Sequence, residues 1–357
     1  VLAPALRDEY DLSLGQIGVL LAAEWVGTIA TLLPWGLAAD RWSERIVLAL
    51  GLAACATCLA AAGFAPTYEA LVALIVLAGA AGASVIAASG RAVMQWFERG
   101  ERGLALGIRQ TAIPIGGLVA ALALPLLVES GGVEAAFVFL AALCAGGALT
   151  GALVLRGHES REALELTSVA ATLRDRRLWR LSLGSGIYLY AQVAIIGFGV
   201  LFLHDEHGLS QSSAALVLAA SQVVGGVLRV GIGRWSDVLD SRLVPLRVVG
   251  IAISVSTAVI ALLAGGPVVI LVPALALAGG LSMGWNGLAF TTAAELAGAG
   301  RSGAAIGFQQ TVLSGIGVIA PVVFAATVSG SSWTAAFALA AVVPLGGWLV
   351  LGKLRED

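Results

Sequence analysis

Four ionisable residues, Glu24, Arg91, Arg109 and Arg229, stand inside long apolar runs, where a charge is costly and marks a functional position by default. Arg229 lies eight residues before Asp237, which puts it about 12 Å from its helix end at 1.5 Å per residue. A guanidinium at that depth can anchor an anion through charge-assisted hydrogen bonds. It can equally serve a structural ion pair or snorkel to the surface. Arg91 and Arg109 flank the turn near Gly100, about nine residues to either side of it, hence at similar depth on adjacent antiparallel helices. Two like charges there need a counter-ion, either an anionic substrate or Glu98 and Glu101 at the turn. Glu24 is the one carboxylate well inside a run, about 15 Å from Leu14. A carboxyl buried there can take up and release a proton, which makes Glu24 the proton-coupling candidate; a structural hydrogen bond to a neighbouring helix is the plain alternative.

Uncharged polar residues extend the set. Tyr188 and Gln192 are spaced i, i+4 and share a helix face near mid-run, and Asn286 follows Trp285 in a later run. They can orient a small solute or hydrogen-bond between helices. A catalytic reading fails, because no His lies in any apolar run and Glu24 has no second carboxylate beside it. His158, His204 and His207 lie in polar connectors, and Cys55, Cys58 and Cys144 lie in apolar runs as small hydrophobes. No metal-ligand spacing is present, and no cofactor is implied.

The elements that hold these residues follow from composition. Of 357 residues, 59% are apolar and only 12% charged, against about 25% charged in soluble domains, so lipid is the solvent for most of the chain. A span needs about 20 apolar residues. Eleven runs qualify: 14–39, 46–64, 69–97, 104–128, 133–155, 178–203, 212–236, 244–264, 267–294, 303–328 and 333–352. None alternates as a barrel strand does, so an all-α membrane protein is expected. Numbering the connectors alternately puts sixteen of the twenty basic residues on one side, while the other carries Arg7 with Asp8, Glu9, Asp11, Glu69, Glu129, Glu134, Asp205 and Glu206. The basic side, with the C-terminus, is therefore expected in the cytoplasm of a multi-pass protein of the plasma (inner) membrane. Residues 156–177 form a cytoplasmic linker in which Leu166, Val169, Ala170 and Leu173 recur at helical spacing.

The chain is internally duplicated. At an offset of 197, Asp8-Glu9 pairs with Asp205-Glu206, Ser13 with Ser210, Leu21-Ala22-Ala23 with Leu218-Ala219-Ala220, Gly36 with Gly233 and Asp40 with Asp237. At an offset of 200, Gly107, Gln110 and Thr111 pair with Gly307, Gln310 and Thr311. Two copies in one membrane orientation form a parallel repeat. The second copy has a span, 178–203, before its acidic pair, where the first has only Val1 to Leu6. Eleven of twelve helices are thus expected, with the first largely missing. The expected units are a bundle over 1–155, the linker 156–177 and a six-helix bundle over 178–357. Glu24 and Arg229 have Ser221 and Leu32 as repeat partners, so the charges mark asymmetric work.

Between the first two runs stands Gly36-Leu37-Ala38-Ala39-Asp40-Arg41-Trp42-Ser43-Glu44-Arg45. It resembles the signature of the major facilitator superfamily, G-x-L-A-D-R-x-G-R-R/K, at Gly36, Ala39, Asp40, Arg41 and Arg45, and a weaker copy runs from Gly233 to Asp237, with Arg242. Gly36 is expected to permit close helix packing, and Asp40, Arg41 and Arg45 to make breakable charge contacts. The resemblance implies two six-helix bundles that rock in alternating access, with this motif as a gate and the first, fourth, seventh and tenth helices around a cavity. The function expected is a secondary transporter, acting as permease or symporter on a small organic or inorganic anion, with protons as the coupling ion. Efflux of drugs or metabolites is the second reading, and a non-transporting sensor the third. The expected partners are the small-molecule substrate, protons and the lipid bilayer, with no nucleic acid, and the expected state is a monomer.

Overall fold

The computed structural model describes residues 1–96, 102–155, 171–298 and 302–354, with the side chains of 33, 37, 39–41, 90–96, 102–108 and 302–304 outside the description. Among the described residues every regular element is a helix. The first half holds α1 (Ala3–Tyr10), α2 (Leu14–Trp42), α3 (Glu44–Ala62), α4 (Tyr68–Trp96) and α5 (Arg102–Val154). The second holds α6 (Arg176–Gly186), α7 (Tyr188–Gln192), a π-helical turn (Val193–Gly197), α8 (Phe198–His207), α9 (Gln211–Val238), α10 (Leu243–Leu263), α11 (Val268–Met283), α12 (Trp285–Ala297), α13 (Ser302–Gly330) and α14 (Trp333–Leu351).

Ten of the helical stretches are long and apolar enough to cross a membrane, one fewer than the eleven runs. The difference lies in α5, which runs unbroken where two spans, 104–128 and 133–155, are expected. At 53 residues it would be about 80 Å long if straight, far more than a 30 Å hydrocarbon core. Its backbone leaves the helical region at Gly131 and again at Gly132, where φ is +69°. The joint therefore separates two spans with almost no connector. The first part packs on α9, with Gly117 against Gln222, and the second on α3, with Gly147 against Leu52 and Gly151 against Leu48.

The duplication is visible in the backbone. Asp11 ends α1 at φ +50° and Gly208 ends α8 at φ +64°. Two residues on, Ser13 caps α2 by accepting from the Gln16 N–H, and Ser210 caps α9 by accepting from the Ser213 N–H. Each hydroxyl supplies an acceptor to amides that have no helical partner. Packing repeats as well: α2 lies on α4 as α9 lies on α11, and α3 lies on α5 as α10 lies on α14. The two halves meet along a seam where α2 packs on α13 and α5 packs on α9.

Small residues set the close approaches. A Cβ on Gly27 would lie 1.9 Å from the Val76 carbonyl oxygen, and one on Gly79 would lie 2.2 Å from that of Glu24. In the second half, Gly279 meets Ser221 and Gly280 meets Val224, the repeat partners of Glu24 and Gly27. At the seam Gly18 faces Ala325 and Gly317 faces the ring of Trp25. The close packing expected at Gly36 is not found: among the described residues a Cβ there would meet nothing within 4 Å, and the same holds at Gly233.

Candidate functional site

Both expected cavity helices of the second half are interrupted. The seventh span is divided at Ile187 and widened by the π-turn Val193–Gly197, and the tenth is divided at Gly284 between α11 and α12. Such turns and breaks in membrane helices occur where backbone is covered by protein or lines a cavity. Gln192 stands at the first interruption and Asn286 at the second, and the Asn286 Nδ2 donates to Gln192 Oε1 at 3.2 Å and to the Met283 carbonyl at 3.3 Å.

Arg229 completes this network from α9. Its Nε donates to the same Met283 carbonyl at 3.0 Å, and its Nη1 donates to the Gln110 carbonyl of α5 at 2.8 Å. The second bond crosses the seam. A continuous polar chain thus runs from the seventh span through the tenth and eighth to the fifth. Two of the five guanidinium N–H groups are used. The other three have no partner among the described residues, and no carboxylate there pairs with Arg229.

Arg109 adjoins Gln110, and its Nε donates to Ser89 Oγ of α4 at 2.8 Å. It too has no carboxylate partner among the described residues. Two guanidinium groups are therefore held by neutral oxygens, Arg229 by the Gln110 carbonyl of α5 across the seam and Arg109, the residue beside Gln110, by Ser89 of α4 within the first half. The side chain of Arg91 lies outside the described residues.

Other expected residues fall elsewhere. Tyr188 is fully buried between Gly250 and Gly347, edge-on to Trp285 with ring centroids 6.1 Å apart. Its hydroxyl and the Trp285 Nε1 have no hydrogen-bond partner among the described residues. Glu24 is exposed on α2, where Gly79 approaches its backbone, and among the described residues no hydrogen bond joins it to the Arg229 network. The sequence reading passed over Gln222, which lies over Gly117 with its Oε1 buried and unpartnered. Its position seven residues before Arg229 on one helix, two turns along the same face, was the available signal.

The gate motif is described in part. The side chains of Asp40 and Arg41 lie outside the described residues, Arg45 is exposed, and Gly36 was treated above. In the second copy Arg242 Nη1 bonds Asp237 Oδ1 at 2.5 Å and Ser236 Oγ at 2.9 Å, while its Nη2 lies 3.2 Å from Glu295 Oε1. The cluster ties the ends of α9 and α12 to the start of α10. Partial burial alone would lower the Arg242 pKa, but the hydrogen bonds and charges of Asp237 and Glu295 outweigh it and raise the value. Arg242 therefore stays cationic throughout the physiological range. Both carboxylates are about half exposed, so the coupling energy between Arg242 and Glu295 in a double-mutant cycle of Arg242→Gln and Glu295→Gln is expected at about 0.5 kcal/mol. A chemical-denaturation series on the four proteins measures it, and a coupling of several kcal/mol contradicts the solvent-screened picture.

At the end of the molecule rich in carboxylates the halves are tied directly. Arg7 pairs with Asp205, which also accepts from His204, Ser212 bonds Glu129, and Gln211 Nε2 donates to the Val1 carbonyl at 3.1 Å. A cleft of about 700 Å³ lined by Arg7, Asp8, Asp11, Asp205, Glu206 and Trp333 lies over this junction. Cys55 and Cys144 are brought together from α3 and α5 as free thiols, the Cys144 Sγ donating to the Cys55 Sγ at 3.9 Å.

Comparison with known proteins adds four findings. The family model described as Major Facilitator Superfamily matches residues 1–321. An uncharacterised MFS-type transporter of Mycobacterium tuberculosis, Rv2994, is 32% identical over 350 residues, covering 96% of this chain and 78% of that protein. A Cupriavidus necator protein named probable sulfoacetate transporter SauU is 24% identical over 266 residues, covering 69% of this chain and 62% of its own length. Among solved structures, a bacterial homologue of the human lysosomal transporter Spinster, inward-facing and unoccupied, superposes with a TM-score of 0.75 at 17% identity, covering 98% of this chain and 90% of that one. The last likeness concerns the fold.

Proposed function

The chain belongs to the major facilitator superfamily, a family of membrane transporters, and we propose that it moves a small organic or inorganic anion by alternating access, with protons as the coupling ion. The bundles would be residues 1–155 and 178–357, and the basic end would face the cytoplasm. The observation that carries the anion reading is Arg229, a guanidinium inside the membrane with three N–H groups unused and no carboxylate partner among the described residues. Arg109, one residue from the carbonyl that Arg229 grips, adds a second positive charge. A site built this way favours anions by its field before any contact forms. The relationship to SauU, named for an organic acid, agrees in chemical class. Gln192, Asn286 and Gln222 would orient the uncharged part of the solute.

The pathway would open toward the basic end, since three of the four described side-chain ties between the halves gather at the acidic end and the fourth, Arg229 to Gln110, lies within the membrane. Glu24 is proposed as the proton site, and the gate motif at Asp40, Arg41 and Arg45 as the lock of the opposite state. Counterflow in proteoliposomes tests the class of solute. Vesicles preloaded with small carboxylates, sulfonates or phosphate are expected to accumulate the labelled partner, and vesicles loaded with neutral sugars or organic cations are not. Exchange confined to the neutral or cationic solutes refutes the anion reading.

A further inference from the structure

The hydrogen bond from Arg229 to Gln110 has a cause in the sequence of α5. In a continuous helix the Gln110 carbonyl would accept from the N–H four residues on, but that residue is Pro114, which has no N–H. The carbonyl is left without a helical partner inside the membrane, where an unsatisfied polar group is costly. Arg229 supplies the missing donor from the other half of the molecule, at 2.8 Å. The repeat-related position is solved differently. Gln310 has Ser314 four residues on, and the Ser314 Oγ donates to the Gln310 carbonyl at 2.9 Å within its own helix. One copy closes its ladder internally, and the other closes it across the seam.

We infer that this bond is a latch on the α5–α9 seam that holds the two halves of the empty carrier together on the basic side of the membrane, and that an anion taken up by Arg229 releases it. Parting α5 from α9 with no ligand present strips the guanidinium and the Gln110 carbonyl of each other at once. An anion changes the balance, because a carboxylate or phosphate binds a guanidinium more strongly than a neutral carbonyl does and can occupy the fork bidentately. The loaded carrier then crosses between states faster than the empty one. A carrier with that property exchanges solute across the membrane more readily than it delivers net flux. The latch stands on the geometry of Pro114, Gln110 and Arg229; its release by an anion rests on the function proposed above.

Pro114→Ala tests it, since alanine restores an N–H to compete for the Gln110 carbonyl, and Arg229→Gln is the second variant. Spin labels at Ile115 and Val238, exposed on α5 and α9, report the separation of the two helices on the side of the latch in a background with Cys55, Cys58 and Cys144 replaced by Ala. With no ligand added, both variants are expected to raise the population with separated labels by roughly tenfold, the effect of one charge-assisted hydrogen bond. Distance distributions that superpose on the parent protein in both variants overturn the latch. The second readout is net uptake relative to exchange of a small carboxylate in proteoliposomes, expected to rise in Pro114→Ala. A moved label with an unchanged ratio overturns release by the anion. A parent protein that exchanges no anion refutes the proposed function, and the spin-label comparison still decides the latch.

Discussion

Arg229→Ala is expected to lower anion counterflow by a factor of about 100 or more, the usual cost of truncating one partner of a buried charged contact. The loss has two parts. The site loses its fork, with the three N–H groups that no described residue occupies. It also leaves the carbonyls of Gln110 and Met283 without the donor that reaches them now. Arg229→Lys separates these parts, since it keeps the charge and loses the planar geometry. An ammonium at that position can neutralise a bound anion, but it cannot hold carbonyls on two helices and still present a bidentate face. An intermediate rate is therefore expected for Lys, with Ala and Gln at the floor. Thermal shift of each purified variant with and without the anion separates binding from movement. If Arg229→Ala exchanges and is stabilised by anions as well as the parent, the guanidinium has no part in the site.

The second large effect is expected on stability, from Gly27→Ala. The added methyl would sit 1.9 Å from the Val76 carbonyl oxygen and 2.6 Å from the Ala80 nitrogen. Both are backbone atoms of a helix that cannot yield by rotating a side chain, so α2 and α4 must separate. Overpacking of this kind costs about 3 kcal/mol at the upper end of the common range, here concentrated at the tightest glycine approach to backbone in the first half. Gly79 makes the reciprocal approach to the Glu24 carbonyl, and the double variant is expected to cost less than the sum, because one separation relieves both clashes. Gly36→Ala is the control. It meets open space and replaces glycine in a helix by a better helix former, so its stability is expected to hold or to rise by about 0.5–1 kcal/mol. Denaturation midpoints for the three variants decide the matter, and equal midpoints for Gly27→Ala and Gly36→Ala would contradict the packing argument.

Most of the architecture is written in residue types that can be read directly. Apolar runs, sided charges and the Asp-Glu pairs follow rules that act on side chains, and the membrane makes those rules strict. Arg229, Gln192 and Asn286 were legible for the same reason, since a polar side chain in lipid announces itself. What escaped were contacts made by backbone or by shape. The Gln110 carbonyl has no letter in the sequence, and its availability depends on a proline four residues away. Tyr188 has the spacing of a cavity residue, but where Gly250 and Gly347 give it room cannot be read before helices are placed. Gly36 failed in the reverse sense, because a glycine that permits contact and a glycine that meets nothing have the same letter. The joint at Gly131 and Gly132 escaped because two adjacent glycines can turn a chain without any polar connector.

Pro114 and Ser314 occupy equivalent places in the two copies, as do Leu32 and Arg229. Proline and serine codons differ by a single base, and so do leucine and arginine codons of the commonest boxes. A duplicated gene of identical halves therefore lies as little as two point changes from the arrangement seen here. One change removes an amide and leaves a carbonyl exposed; the other installs the cation that answers it. Neither is favourable in lipid without its partner, so their order of arrival was constrained. A functional difference between the halves can thus come from a pair of positions in an otherwise repeated scaffold.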